Sequence, residues 1–383
     1  MEADASFRRY LRMHLQRITV LNFRNLEPCS LELGPGFWAV LGDNGQGKSN
    51  FLEACGVLCS GRSHRTERER DLARRGERWF TVEGRIWREQ RGPVDLAVRL
   101  TPEGRKELLA NGSRSPSQTV YAREASSVRF SSDDVEIVRG EPSLRREFLN
   151  EAASLVSQGY VYDYNRFRRA LEQKSRALRD IRERQASEAS LDVWDAQLAD
   201  YAGRVCARRE RLLRELAPLA AGLYARLSGG EEELKLSYSP DVPAPASLEE
   251  WPGAIAAALS ARRKEELERG IPLTGPQRDD VSIVIGGMDA RAFASRGQCR
   301  TAALALRLAQ ARLVLEQTGE WPLLLMDDVF AELDDRRRRL LMESASGAGQ
   351  TLAAAASLSD LPGPEVAFAG RIRVSRGMLS REP

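Results

Sequence analysis

Residues 42–49 read Gly-Asp-Asn-Gly-Gln-Gly-Lys-Ser, an unbroken match to G-x-x-x-x-G-K-[ST], and nothing else in the chain restricts its fold as tightly. Such a loop works only between a strand and a helix. Its glycines let successive backbone N–H groups turn toward a phosphate, and the helix N-terminus behind them adds its dipole. Both flanks are present. Phe37-Trp38-Ala39-Val40-Leu41 is apolar throughout, the pattern of a strand buried on both faces, and a helix is expected from about Ser49 to Leu58. Gly42, Asp43, Asn44, Gly45, Gln46 and Gly47 are therefore assigned to the phosphates of ATP, Lys48 to its β- and γ-phosphates, and Ser49 to Mg2+. Lysine is otherwise scarce. Only Lys106, Lys174, Lys235 and Lys264 accompany Lys48, so a compact ammonium at this position is informative in itself.

A second apolar strand, Leu323-Leu324-Leu325-Met326, ends in Asp327 and Asp328. Asp327 is placed to hold Mg2+, directly or through water, and Asp328 to orient or deprotonate an attacking water, which makes Lys48 and Asp328 the candidate catalytic pair. Two segments compete for the signature loop of an ABC-type ATPase. Leu227-Ser228-Gly229-Gly230-Glu231 has the better-known letters, but a strand-like Leu234-Lys235-Leu236-Ser237-Tyr238 follows it. A signature loop needs a helix directly behind it, because that helix's positive end faces a γ-phosphate. Ser295-Arg296-Gly297-Gln298 meets the requirement, with a helix expected from about Thr301 to Gln317, and the first segment reads as a surface turn.

The pattern along the chain fixes the organisation. Residues 1–12 are polar and arginine-rich and read as an N-terminal extension; an edge-like strand begins at Met13. From 122 to 269 the texture changes to long helices with dense Arg and Glu: Glu141 to Ala153, Tyr160 to Arg184, Leu191 to Leu227 and Leu248 to Arg269. None sustains heptads long enough for an extended coiled coil. Strand signals return at Val281 to Ile285. The expected architecture is α/β, a head contributed by residues 13–121 and 270–383, with an inserted mainly helical lobe at 122–269.

Charge narrows the partners. With 58 Lys and Arg against 55 Asp and Glu the net charge is +3, which excludes a polybasic tail but not a local basic face. Arg62 and Arg65, and the lobe's Arg166, Arg168 and Arg169, are candidate phosphate contacts for DNA. Five scattered cysteines with no CxxC pair, and two histidines, argue against a zinc site or a disulfide framework. No apolar run of about 18 residues occurs and no signal pattern opens the chain, so a cytoplasmic location without membrane contact is expected.

Seven segments, in order, carry a resemblance: Leu21-Asn22-Phe23-Arg24-Asn25-Leu26, the phosphate loop, Gly61-Arg62-Ser63-His64-Arg65-Thr66, Phe130-Ser131, Gly275-Pro276-Gln277-Arg278-Asp279-Asp280, Ser295-Arg296-Gly297-Gln298, and Asp327-Asp328-Val329-Phe330-Ala331-Glu332-Leu333-Asp334. Over Met13 to Asp360 the chain resembles the RecF family, the bacterial recombination-repair members of the ABC/SMC-like ATPases. The resemblance implies a split ABC-type P-loop ATPase head and an ATP-dependent homodimer sandwiching two nucleotides. Ser295, Gly297 and Gln298 would then bind ATP in trans, with Ala331 to Asp334 across the seam. It further implies double-stranded DNA near single-strand gaps, RecR- and RecO-like mediator proteins, and help in loading the recombinase. Most ABC ATPases carry Glu where this chain has Asp328. The shorter carboxylate implies slow hydrolysis and ATP acting as a switch. The nucleotide-binding subunit of another ABC-type system is the alternative. A transporter subunit would want its signature at Leu227 and a switch histidine, where this chain has Ala356-Ser357; a chromosome-type SMC or Rad50 head would want a far longer coiled coil.

Overall fold

The computed structural model describes residues 12–157, 159–362 and 367–382. The segment 1–12 read as an extension therefore lies, Arg12 apart, outside the described residues.

The strands that read as uniformly apolar form the parallel centre of a six-stranded sheet. Its order is Met378–Glu382, Phe368–Ser375, Gly36–Leu41, Gln350–Ala355, Leu323–Asp327, Ser127–Ser131, with only the first strand antiparallel. A second, wholly antiparallel sheet runs Cys29–Glu32, Met13–Leu21, Phe80–Arg88, Gly92–Leu100, Lys106–Ala110, Ser113–Arg114. Met13–Leu21 is thus internal, not an edge: its alternation records one solvated face, which any antiparallel strand can have, and Cys29–Glu32 takes the edge instead.

Helix Lys48–Ser60 lies between the two sheets, so it is apolar nearly all round. Phe51, Leu52, Ala54, Cys55, Val57, Leu58 and Cys59 join one core with Ile18, Val20, Val82 and Val98 of the antiparallel sheet and Leu325, Leu352 and Ala354 of the parallel one. Gly84 makes the close approach possible, because a Cβ there would sit 2.4 Å from Leu58 Cδ2 and 2.6 Å from the Arg17 carbonyl. The buried Gln350 side chain stitches the sheets together. It accepts from Leu15 N at 2.9 Å and donates to Leu15 O at 3.1 Å, beside the bulge between Leu15 and Arg17.

The chain divides into two compact units, Met1–Asp134 with Leu304–Pro383, and Val135–Ala303. Both boundaries differ from those expected at 122 and 269. Ser127–Ser131 remains in the head because it is the parallel partner of Leu323–Asp327. Residues 270–303 leave it because Asp280–Ile285 pairs with Leu234–Ser239, giving the mainly helical lobe a three-stranded sheet of its own. Around that sheet stand helices Pro142–Val156, Tyr160–Arg182, Ser190–Ser228 and Trp251–Arg269, close to the expected spans. In the head, Asp134 Oδ1 accepts from Arg307 Nη2 at 2.8 Å and Nε at 3.0 Å, a buried ion pair that joins the residues flanking the two chain crossings.

Candidate nucleotide site

The glycine loop leaves the C-terminal end of Gly36–Leu41, where ligands collect on parallel sheets. Asp43, Asn44 and Gly45 form its exposed tip, while Gly42, Gly47 and Lys48 are buried. Gly42 admits no side chain, since a Cβ would lie 2.2 Å from the Val374 carbonyl. Gly47, at φ 119°, is the N-cap of helix Lys48–Ser60 in a conformation an L side chain resists. Lys48 is 4% exposed and its Nζ donates to the Gly42 and Asp43 carbonyls at 2.8 and 3.3 Å, so the ammonium spans the mouth of the loop.

Three segments hold the loop in shape. The Arg376-Gly377 hairpin turn donates two backbone N–H groups to Gln46, Arg376 N to Oε1 at 2.6 Å and Gly377 N to the carbonyl at 2.9 Å. Asn25 Nδ2 donates to the same carbonyl at 3.4 Å, and Asn50 Nδ2 donates to Asn25 Oδ1 at 2.8 Å. One turn along the helix, the fully buried Glu53 accepts from Arg24 Nε at 3.0 Å and Nη2 at 2.8 Å, from Ser63 Oγ at 2.6 Å and from Arg65 Nη1 at 3.2 Å. Burial alone would raise the Glu53 carboxyl, but the Arg24 fork, the Ser63 hydroxyl and Arg65 outweigh it and hold it below the ordinary carboxylate value. Leu21 to Leu26 and Gly61 to Thr66 thus converge on Glu53.

The acidic strand arrives from the other end of the chain. Ser49 Oγ donates to Asp327 Oδ1 at 2.9 Å across 278 positions of sequence. Asp327 is registered opposite Ala354 on one side and Ser131 on the other, which fixes its height against the loop. Burial raises its carboxyl above the ordinary value and Asp328 adds to this, while Ser49, Arg129 and Arg65 pull the other way. Asp328 follows at φ 52°, a left-handed conformation that Asp tolerates and β-branched residues do not. The oxygens of Ser49 and Asp327 are hard ligands of the kind Mg2+ takes. Among the described residues no group of three or more His, Cys, Asp or Glu could hold a metal ion.

Ser295 belongs to the other compact unit and opens helix Arg296–Thr318, five residues earlier than expected, so Gly297 and Gln298 lie in its first turn. Ser295 Oγ accepts from Gln298 N at 3.2 Å and Gln298 Oε1 accepts from Ser295 N at 2.7 Å, a reciprocal cap. Ser295, Arg296 and Gly297 are exposed. The rival segment closes a helix instead of opening one: Gly229 caps Ser190–Ser228 at φ 95°, and a strand follows. The residue after it, Glu232, nevertheless reaches the Ser295 loop, where Gln298 Nε2 donates to Glu232 Oε1 at 2.6 Å.

Arg62 and Arg65 are exposed, Arg62 just beyond the C-terminal end of helix Lys48–Ser60. Arg65 is engaged, donating to Asn50 Oδ1 at 2.7 Å as well as to Glu53. Sequence reading missed the roles of Asn25, Glu53, Glu232 and the Arg376-Gly377 turn. Only the turn left a local signal, an X-Gly dipeptide between two alternating strands.

Comparisons with known proteins agree over most of the chain. The model of the RecF/RecN/SMC N-terminal domain matches residues 14–352. The DNA replication and repair protein RecF of Bacillus subtilis (strain 168) is 33% identical over 370 residues, covering 96% of this chain and 100% of that protein. The RecF of Thermosynechococcus vestitus is 37% identical over 369 residues, covering 96% and 97%. Among solved structures, the recombination mediator protein RecF with ATP, from the RecFOR pathway, superposes with a TM-score of 0.89 at 30% identity over 98% of this chain and 100% of that one. An Smc head domain from Pyrococcus furiosus, at TM-score 0.54 and 15% identity, shares the fold. With a glycine loop, an acidic strand and a capped helix after Ser295 all in the expected order, the chain belongs to the RecF family, within the RecF/RecN/SMC proteins.

Proposed function

We propose that this chain is an ATP-driven DNA clamp of recombinational repair, closing as a homodimer on duplex DNA near single-strand gaps, acting with RecR- and RecO-like mediator proteins to help load the recombinase. The observation that carries the reading is the Ser49–Asp327 hydrogen bond, which assembles a phosphate loop and a Mg2+ ligand from opposite ends of the sequence. Lys48 would neutralise the β- and γ-phosphates, and Ser49 and Asp327 would hold Mg2+. When bound, Mg2+ would supply charge neutralisation to the phosphates. Asp328 orients the water.

The capped Ser295 loop supplies the trans contact. Its Oγ accepts at the helix cap and still has a proton to donate to a partner's γ-phosphate, while Gly297 leaves room and Gln298 locks the turn. The relatives' names support a place in replication and repair, and the RecFOR pathway of the solved relative supports the mediator partners. Among the described residues no helix is long and apolar enough to cross a membrane, which is compatible with the cytoplasmic location proposed here.

Duplex binding at one fixed salt concentration, with and without ATP, tests the reading. ATP is expected to tighten binding about tenfold or more for wild type and to leave Lys48→Arg unchanged, since Arg replaces a point charge with a planar fork too large for the loop. Binding indifferent to nucleotide in both would sink the clamp.

A further inference from the structure

Leu227-Ser228-Gly229-Gly230-Glu231 carries the letters of a signature loop without a helix behind it, and the residue that follows gives it another use. Helix Ser190–Ser228 ends at Gly229, and Gly229 (φ 95°) and Gly230 (φ 82°) are both left-handed, so the chain turns sharply within two residues. After three glutamates, strand Leu234–Ser239 begins, with Leu234 registered opposite Ile285. Gly286 N donates to the Glu233 carbonyl at 3.0 Å and extends that pairing by one bond. The backbone of Glu232 is thus fixed from both sides.

The three glutamates differ in what they meet. Glu231 is exposed, and Glu233 pairs with Lys235 at 3.0 Å on the surface. Glu232 is half-buried: its Oε2 accepts from Tyr224 Oη at 3.1 Å and its Oε1 from Gln298 Nε2 at 2.6 Å. Tyr224 is 1% exposed, so the carboxylate has a rigid anchor on one side and the Ser295 loop on the other. Gln298 needs that anchor. Its Oε1 accepts from Ser295 N at 2.7 Å, which turns its NH2 toward Glu232, and a carboxylate there excludes the flipped amide, whose oxygen would face negative charge. Ser295 Oγ in turn accepts from Gln298 N at 3.2 Å. The bonds from Tyr224 through Glu232 and Gln298 end on an exposed hydroxyl at the head of helix Arg296–Thr318, all within the unit Val135–Ala303.

We propose that Glu232 is a positioning residue for ATP bound in trans: acting through Gln298, it sets the Ser295 hydroxyl for a partner's γ-phosphate, and the look-alike segment is the bracket that carries it. Glu232 is not itself a phosphate ligand, because its charge would repel one and both its oxygens are taken by donors. The inference rests on the proposed ATP-driven homodimer and adds a residue that acts on it from behind the loop.

Two measurements on the full-length protein test it. Hydrogen–deuterium exchange without nucleotide reads the order of residues 295–298, and sedimentation velocity with Mg2+-ATP reads dimerisation. In Glu232→Ala the exchange of those amides should quicken about tenfold or more, and half-dimerisation should need about tenfold more ATP. Mg2+-ATP affinity, measured on protein dilute enough to stay monomeric, should change less than about twofold. Glu232→Gln can still accept from Gln298 and donate to Tyr224 Oη, so it should stay within about fivefold of wild type in both readouts. Unchanged exchange in Glu232→Ala overturns the proposal. So does faster exchange with wild-type dimerisation, which leaves Glu232 a structural tie, and so does a glutamine variant that fails as alanine does. In each of these cases a wild type that dimerises with ATP keeps the clamp. Wild type that does not dimerise with ATP removes the clamp and the role of Glu232 with it.

Discussion

At the scale of single residues the site is a set of charges whose partners are fixed before any ligand arrives. Asp327 is the clearest, because burial opposes its charge and a divalent cation would favour it. Asp327→Asn should lower the affinity for Mg2+-nucleotide about tenfold to a hundredfold while leaving Mg2+-free nucleotide binding nearly unchanged, as isothermal titration with and without EDTA can show. Glu53 has the opposite bias. Its folded carboxyl sits below its unfolded value of 4.5, so its stabilisation is present above that pH and is lost as pH falls through the lowered folded value. Urea denaturation of wild type should therefore lose stability on acidification, and Glu53→Gln should flatten that part of the profile. The position of Asp327 and Asp328 at the end of an apolar strand was legible in the sequence. Glu53 was not, since an acid inside an apolar helix declares itself only when Arg24, Ser63 and Arg65 are seen to reach it.

At the scale of elements, periodicity gave the helices and the buried strands to within a few residues, and failed where identity depends on a distant partner. Nothing local to Asp280–Ile285 says that its neighbour is Leu234–Ser239 and not the head sheet, and the domain boundary moved for that reason. The start of helix Arg296–Thr318 was missed because Ser295 and Gln298 cap it reciprocally, a pattern overlooked in favour of the first apolar residue. Within the lobe, three helices are fastened by one buried cation. Lys174 Nζ lies 2.7 Å from Asp195 Oδ1 and 2.5 Å from Glu266 Oε2, with Lys174 and Glu266 fully buried. Lys174→Met should cost about 3–5 kcal/mol in chemical denaturation by stranding Glu266, and adding Glu266→Gln, which removes the charge but keeps the acceptor for Leu273 N, should recover part of the loss.

At the scale of the whole molecule, the proposal requires that no protomer own a complete site. In a two-fold dimer each site takes Lys48 from one chain and the Ser295 loop from the other. Lys48→Ala and Ser295→Arg should each be inactive alone, and an equal mixture should regain about a quarter of wild-type turnover, since random pairing gives half heterodimers with one intact site of two. Wild-type turnover itself should lie far below hundreds per second, about the ceiling for a fast enzyme of ordinary kind, or ATP is not acting as a switch.

The ion pair between Asp134 and Arg307 bears on how such proteins vary. It holds together, inside the head, the two stubs from which residues 135–303 depart and return. A guest segment rooted at a single riveted doorway can lengthen, shorten or be exchanged without the host sheet changing register. The head is in that sense a socket, and one short peptide bridging Asp134 to Leu304 should be enough to close it when the lobe is cut away.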